Sequence, residues 1–166
     1  MEAVFAAFPH KARPMEVLPE YALLIEASTS IPTDMGVDAE SLLMEALSPL
    51  LAAENPLATD IIMGRGTDFW ELRHSISDSL KSLGAVIGMD IAVARECLPA
   101  LRKELIARVE KADSVAIICD FGHVGDGGMH FNLVRPHTAD RDGNTADRLR
   151  SLIYDITVHQ FGGTFS

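Results

Sequence analysis

Two apolar runs joined by a short glycine-rich segment constrain the fold of this chain most strongly. The runs are SVAIICDF at 114–121 and GMHFNLVRP at 128–136, and the segment between them reads GHVGDG. Both runs have the length and composition of β-strands. Glycine tolerates the tight backbone conformations that a hairpin connection needs. The pattern therefore predicts two antiparallel strands that lie side by side in one sheet.

The rest of the chain alternates between strand-like and helix-like patterns. Short apolar runs predict further strands at 21–29, 59–64 and 85–94, with Gly88 as a bulge in the last one. Apolar residues at helical spacing predict helices over 40–53, 67–84, 96–111 and 145–161. Because helices and strands interleave and two strands are adjacent, we expect an α+β fold of ferredoxin-like type. Its antiparallel sheet would have helices packed on one face, and the unit could be duplicated.

The composition narrows the class of protein. A chain of 166 residues, 48% of them hydrophobic, is long enough to form one domain with its own core. Its formal net charge of −10 argues against nucleic acid as a partner, because phosphate binding needs clustered Lys and Arg. No run approaches the roughly 18 apolar residues of a membrane span, and we expect a cytoplasmic protein. Cys97 and Cys119 lie in apolar segments and are expected to be reduced thiols.

The predicted hairpin carries more polar side chains than a hairpin needs. Successive side chains of a strand point to opposite faces, so His130 and Asn132 share one face and their apolar neighbours share the other. The glycine-rich turn can bring His123 back toward His130, and two imidazoles could form half of a metal site. The alternative is a polar hairpin without a ligand. Asp126 could supply a further ligand, although an aspartate in a turn more commonly caps its own backbone.

A second candidate site lies on the helix predicted over 67–84. Arg73 and Ser77 are four residues apart and therefore neighbours on one helix face. A guanidinium beside an apolar stripe can bind a carboxylate through two parallel hydrogen bonds, and the serine hydroxyl could add a third. The alternative is a solvated arginine at the edge of the core.

Three segments occur together, in the same order and at similar spacings, in one protein family. They read DFWELRHSISDSL, MDIAV and FGHVGDGGMHFNL. Over roughly residues 20–166, the chain resembles the C-terminal, substrate-binding cap domain of FAD-linked oxidases of the vanillyl-alcohol-oxidase type. Within that group it is similar to the D-lactate dehydrogenases, glycolate oxidases and D-2-hydroxyglutarate dehydrogenases.

The resemblance implies an oxidoreductase that transfers a hydride from a small D-2-hydroxy acid to FAD. It implies that Arg73 binds the substrate carboxylate with help from Ser77, and that Asn132 also contacts substrate. His123 and His130 would ligate a divalent metal, often zinc. The FAD-binding domain of this family precedes the cap domain. We therefore expect 1–166 to be a single cap-domain fragment that works with a separate FAD-binding domain of the full-length protein.

The chain departs from the family pattern in two respects. The glutamate that completes the family's metal site and the histidine that acts as its base belong to an A-E-H-G segment, which we expect beyond Ser166. We therefore expect no catalytic residue within the chain and no activity from the chain alone. Gly88 and Gly128 stand where many relatives carry Lys and Asn, so a monocarboxylate and a dicarboxylate substrate both stay open.

Two other functions stay open at the level of the residues. The chain could be a non-catalytic α+β interaction module of a larger assembly. It could also be a metal-dependent hydrolase domain that uses His123, His130 and Asp126. The sequence does not indicate which electron acceptor would reoxidise the flavin, and it is compatible with a homodimer.

Overall fold

A computed structural model describes residues 1–31, 35–36, 38–64, 66–139 and 143–166 of the chain. The helices are α1 (Glu2–Ala7), α2 (Ala39–Leu47), α3 (Pro49–Ala52), α4 (Gly66–Leu83), α5 (Leu98–Ala112) and α6 (Thr145–Asp155). A π-helical turn over Ile156–Gln160 continues α6. The strands are β1 (Gly84–Ile87), β2 (Asp90–Ala92), β3 (Ile117–His123), β4 (Gly128–Pro136) and β5 (Thr164–Phe165). No helix of these described residues is long and apolar enough to cross a membrane.

The strand β4 lies at the centre of one five-stranded antiparallel sheet. It pairs with β3 along one edge, and with β1 and then β2 along the other edge, while β5 pairs with the far side of β2. Residues 88–89 separate β1 from β2, and the equally long segment 131–132 separates their partners on β4. The register is therefore continuous, with no inserted residue. The prediction that Gly88 forms a bulge is wrong.

One face of the sheet carries the main hydrophobic core. Phe131 and Leu133 project from β4 onto this face and are fully buried. The helices α5 and α6 cover it with apolar residues at helical spacing, namely Leu101, Leu105, Val109, Leu149 and Ile153. Side chains on one face of a strand recur every two residues, and those on one face of a helix recur every three or four residues. The apolar residues at these spacings therefore form the facing surfaces of the sheet and the helices, which pack together as one core layer.

The helix α4 lies on the opposite face of the sheet. It contacts β1 and β4, and it places Arg73 above the ring of Phe121 on β3. It ends at Leu83, and β1 begins at the next residue, Gly84. A Cβ on Gly84 would lie 2.0 Å from the carbonyl oxygen of Arg135 on β4, so a larger residue does not fit at this junction. The expectation that all helices pack on one face of the sheet is therefore wrong for α4. The observed fold is mixed α+β with helices on both faces of the sheet.

The hairpin and three of the predicted helices are confirmed. The strands β3 and β4 pair antiparallel through a turn that contains Gly127, which has a φ of +84°. The helices α4, α5 and α6 match the predictions for 67–84, 96–111 and 145–161, apart from the π-helical turn at the end of the last. The helix predicted over 40–53 is interrupted at Ser48, after which Pro49 begins α3.

Two runs predicted as strands do not belong to the sheet. Residues 21–29 and 59–64 have no strand structure, and every residue of 21–29 is exposed. Two side-chain hydrogen bonds join the first run to the helices of the domain. Arg102 Nη1 donates one of 2.8 Å to Tyr21 Oη, and Trp70 Nε1 donates one of 3.3 Å to Glu26 Oε2. Apolar composition suits a strand, but a strand also needs a neighbouring edge with which to pair. The described residues form one sheet, so the duplicated unit is not supported.

Truncation of a core residue should destabilise the fold strongly. Phe131 is 0% exposed at the centre of β4, so Phe131→Ala removes a large buried side chain and leaves a cavity. We expect the free energy of unfolding in urea to fall by about 3–5 kcal/mol. The control Val124→Ala changes a residue that is 60% exposed and should alter it by no more than about 0.5 kcal/mol. A loss below about 1 kcal/mol for Phe131→Ala would contradict the placement of this ring.

The turn between β3 and β4 should tolerate alanine at one glycine and not at another. At Gly127, a Cβ would lie 2.1 Å from the carbonyl oxygen of Val93, and the φ is positive. Gly127→Ala should therefore lower the free energy of unfolding by more than about 1 kcal/mol. At Gly125 a Cβ meets no atom within 4 Å, so Gly125→Ala should be neutral or slightly stabilising. Equal effects in thermal unfolding would contradict this turn geometry.

Candidate functional site

A polar cavity of about 430 Å³ lies between α4 and the sheet face opposite the main core. Two of its lining residues, Arg73 and Ser77, come from α4. The sheet supplies Asp90, Phe121, His130 and Asn132, and Gly88 completes one wall. The strand alternation that sends Phe131 into the core therefore sends its two neighbours into the cavity. The structure brings together Arg73, Ser77, His130 and Asn132, which are four of the five predicted site residues.

His130 is hydrogen bonded to Asp90 on the neighbouring strand. The two residues are directly opposite partners in the β2–β4 pairing, and the contact joins His130 Nδ1 to Asp90 Oδ1. Asp90 was not predicted as a site residue, although it belongs to the MDIAV segment that carried part of the family resemblance. The local sequence around Asp90 does not indicate this contact. The contact depends on the register between β2 and β4, which are distant in sequence.

The ring of Phe121 packs against both Arg73 and His130 in the cavity. The guanidinium carbon of Arg73 lies 4.5 Å from the centroid of its ring, and the imidazole centroid of His130 lies 5.1 Å from it. Arg73 is half-buried and has no carboxylate partner among the described residues. A partly desolvated guanidinium held over an aromatic ring, with its hydrogen-bond donors free, can bind a carboxylate from outside the chain.

Asn132 is oriented by the backbone of the hairpin. Its Nδ2 donates to the carbonyl oxygens of Cys119 at 3.3 Å and of His130 at 3.4 Å. Its Oδ1 lies beside Gly88, because a Cβ built on that glycine would be 3.3 Å from this oxygen. The amide oxygen is therefore held at the cavity wall, where it can accept a hydrogen bond from a ligand.

The predicted metal ligands His123 and His130 are close, but a third ligand does not join them. Their ring centroids are 6.0 Å apart, and His123 is exposed at the end of β3. Asp126 Oδ1 instead accepts a hydrogen bond of 2.8 Å from the backbone nitrogen of Gly128, so Asp126 caps the turn. Among the residues that the structure describes, no group of three His, Cys, Asp or Glu side chains could hold a metal ion. The ligand set proposed for a hydrolase is therefore not assembled.

The two cysteines are free thiols, as predicted. Cys119 lies opposite Asn132 in the β3–β4 pairing and is partly buried. Burial raises the pKa of the Cys119 thiol above its usual value, because the buried environment disfavours the thiolate. The thiol is therefore protonated at neutral pH and is a poor nucleophile beside the cavity.

The last residues of the chain also contribute to the cavity. The backbone nitrogen of Ser166 donates a hydrogen bond of 3.1 Å to the carbonyl oxygen of Asp90. The ring of Phe165 stacks on Tyr154 of α6 with a centroid distance of 4.0 Å, which holds β5 against the domain. The short strand β5 was not predicted, since two residues give no measurable periodicity.

Comparisons with known proteins agree on the relatives of this chain. A probable mitochondrial D-2-hydroxyglutarate dehydrogenase of Oryza sativa subsp. indica is 27% identical over 150 residues, which are 90% of this chain and 25% of that protein. The mitochondrial D-2-hydroxyglutarate dehydrogenase of Arabidopsis thaliana is 28% identical over 149 residues, 90% of this chain and 25% of that protein. The corresponding protein of Bos taurus is 32% identical over 152 residues, 90% of this chain and 26% of that protein.

The chain thus spans about a quarter of the length of these curated relatives. The family model described as "FAD linked oxidases, C-terminal domain" matches residues 1–166, and the chain therefore belongs to this family.

Proposed function

We propose that this chain is the substrate-binding cap domain of a flavin-dependent dehydrogenase or oxidase that converts a small D-2-hydroxy acid to the 2-keto acid. The observation that carries the proposal is the half-buried guanidinium of Arg73, which faces a polar cavity together with His130 and Asn132. Several relatives bear the name D-2-hydroxyglutarate dehydrogenase, which supports a 2-hydroxy acid as the class of substrate.

The cavity suits the two functional groups of such a molecule. A 2-hydroxy acid carries its hydroxyl on the carbon next to the carboxylate. Arg73 would bind the carboxylate through two parallel hydrogen bonds, and the Ser77 hydroxyl would assist from the next turn of α4. His130 and Asn132 line the same cavity from β4 and offer polar atoms to the hydroxyl. Fixing both groups defines which face of the substrate carbon is presented for reaction.

The topology supports a ferredoxin-like assignment for part of the domain. From Gly84 to Phe165, and with β1 and β2 taken as one strand of continuous register, the elements run strand, helix, strand, strand, helix, strand. The strand order across the sheet is β5, β2, β4, β3. The helices α5 and α6 both contribute to the core on one face. We propose the ferredoxin-like arrangement for this segment only.

The flavin itself would be bound outside the described cavity. A dinucleotide-binding site places a glycine-rich turn between a strand and the start of a helix, so that the pyrophosphate meets the helix N-terminus. The glycine-rich turn of this chain joins β3 to β4 and is followed by a strand. This turn therefore does not form a dinucleotide-binding site of that kind, and we place FAD in a separate domain of the full-length protein. When bound there, FAD would supply the redox chemistry.

A divalent metal, which we predicted to be zinc, is not supported by the residues present. His123 and His130 supply two imidazoles, whereas a zinc site normally has at least three protein ligands. We assign no role in the reaction to a metal in this chain.

Substitution of Arg73 tests the proposed function directly. Arg73→Gln in the full-length protein removes a charged pair of hydrogen bonds worth about 1.5–3 kcal/mol, so kcat/KM for the hydroxy acid should fall about 10- to 150-fold. Turnover can be followed with a dye as electron acceptor. The matched control is Arg148→Gln, which changes an exposed arginine of α6 and should leave kcat/KM unchanged. An unchanged kcat/KM for Arg73→Gln would show that this arginine does not bind the substrate. It would favour the alternative that the chain is a non-catalytic interaction module.

Zinc binding separates the cap-domain proposal from the hydrolase alternative. Titration calorimetry with ZnCl₂ should show weak binding to the chain, because two imidazoles leave a tetrahedral site half empty. His123→Ala should weaken it further. Asp126→Asn should have no effect, because Asp126 holds the turn through Gly128. Tight binding that Asp126→Asn abolishes would contradict this geometry and favour a hydrolase.

A further inference from the structure

Residues 14–64 are the part of the domain that is least covered by protein. No residue of this segment is buried among those that the structure describes. Four of its exposed large apolar residues follow one another closely, namely Tyr21, Leu23, Leu24 and Ile25. Soluble proteins rarely expose a continuous apolar surface unless another molecule or domain binds there. This stretch is therefore a candidate contact surface.

The stretch has the geometry of a strand that lacks a neighbour. Residues 21–27, which we call the edge run, contain no turn or bend and make no backbone hydrogen bond with any described part of the chain. At its start Tyr21 accepts a hydrogen bond from Arg102 of α5, and near its end Glu26 accepts one from Trp70 of α4. Side chains five positions apart in an extended chain point to opposite sides, and α5 and α4 cover opposite faces of the sheet. The two sides of the edge run therefore face the two helix layers, as those of a strand in the sheet would.

The edge run lies beside β3, which is the outermost strand on its side of the sheet. Arg102 is also ion-paired with Asp120 of β3, and Arg73, one turn after Trp70, packs on Phe121 of β3. Within the described ranges, β3 pairs with β4 alone, so its outer edge is free. An extended segment with unpaired backbone groups beside an open sheet edge is the kind of surface to which a further strand can be added.

Charge selects among the partners that this surface could bind. Residues 14–64 contain nine Asp and Glu residues and no Lys or Arg. A second copy of the chain would bring the same carboxylates to the contact, and like charges would oppose its binding. Nucleic acids and anionic lipids have the same sign of charge and are disfavoured for the same reason. The complementary partner is a protein segment that carries Lys or Arg beside apolar residues.

The apolar character of the edge run favours a permanent partner. Permanent interfaces are more hydrophobic than transient ones, because their surfaces are not exposed to water in the working protein. The chain spans about a quarter of the length of its curated relatives, so a protein of their length has ample further sequence to cover this surface. A segment of the same polypeptide therefore suits the edge run better than a separate protein does.

We propose that the edge run is a strand-docking surface, and that its occupant is a β-strand of the full-length protein that lies outside residues 1–166. This strand hydrogen bonds to the backbone of the edge run, covers Leu23 and Ile25, and places a basic residue next to Glu20 or Glu26. The inference rests on the proposed function only in that the chain is one part of a longer protein. It is independent of the ligand that Arg73 binds.

Hydrogen exchange followed by mass spectrometry tests whether the edge run is paired. In the chain 1–166 its amides should exchange at about the rate of an unstructured peptide. In the full-length protein their exchange should be slowed more than about tenfold, because an amide in a paired strand exchanges only when the strand opens locally. The amides of β4 are the reference, since they are paired on both edges and should exchange slowly in both samples.

A proline substitution tests the backbone contact. Leu23 is 73% exposed and its backbone nitrogen has no partner in the described part of the chain, so Leu23→Pro should leave the thermal midpoint of 1–166 unchanged. In the full-length protein the same change should restore fast exchange to the edge run, because proline cannot donate a hydrogen bond to a neighbouring strand. The matched control is Val17→Pro, which changes a residue that is 83% exposed outside the edge run and should leave the exchange of residues 21–27 unchanged.

Zero-length cross-linking identifies the occupant. A carbodiimide joins a carboxylate to a lysine that it contacts, so the full-length protein should give a cross-link from Glu20 or Glu26 to a lysine outside residues 1–166. The double change Glu20→Gln with Glu26→Gln should remove this product. Mixing ¹⁴N- and ¹⁵N-labelled protein shows whether the two linked peptides come from one molecule, as we expect, or from two.

Each alternative occupant gives a different result. Fast exchange of the edge run in the full-length protein overturns the proposal and leaves a separate partner or none. Slow exchange in a monomeric chain 1–166 overturns it in favour of pairing with β3, and cross-links that join two molecules overturn it in favour of a second copy. The kcat/KM of Arg73→Gln is measured independently, so the proposed function can fail while the edge run is protected, and the reverse.

Discussion

The pairing of β4 with strands on both of its edges is the constraint on which the rest of the molecule depends. Its hydrogen bonds fix the register of β2 on one side and of β3 on the other. Because alternate residues point to opposite faces, this single register sends Phe131 into the core and His130 into the cavity. A shift by one residue would exchange the two faces and remove both the core and the site. Stability and the site therefore depend on the same ladder of hydrogen bonds.

The site combines one positive and one negative side chain that do not neutralise each other. Asp90 is hydrogen bonded to His130, and Arg73 is packed on Phe121, so each charge has a different neighbour. A guanidinium whose donors are not taken by a carboxylate of its own chain is suited to an anionic ligand. The Asp90 carboxylate is hydrogen bonded to His130 and therefore leaves Arg73 available. This separation explains how an acidic chain, with a net charge of −10, can offer a local site for an anion.

The sequence was most informative where the signal was local. Strand alternation placed His130 and Asn132 together, and helical spacing placed Arg73 beside Ser77, and the structure agrees with both. Asp90 was missed because its partner is forty positions away on a strand that is not consecutive in the chain. The strand predicted at 21–29 failed because local hydrophobicity does not show whether a sheet edge is available. The position of α4 on the second face of the sheet was not predicted. An apolar stripe indicates that a helix packs against the protein, but it does not indicate which surface the helix covers.

Gly88 leaves one position of the cavity wall without a side chain. It lies between β1 and β2, where a Cβ would meet only Asn132 Oδ1 at 3.3 Å. A side chain introduced there would enter the cavity while the backbone register and the core on the other face stayed the same. The volume and charge of the cavity can thus be altered at a single codon, largely independently of the residues that make the domain fold. Ligand preference could therefore diverge between close homologues that share the same core.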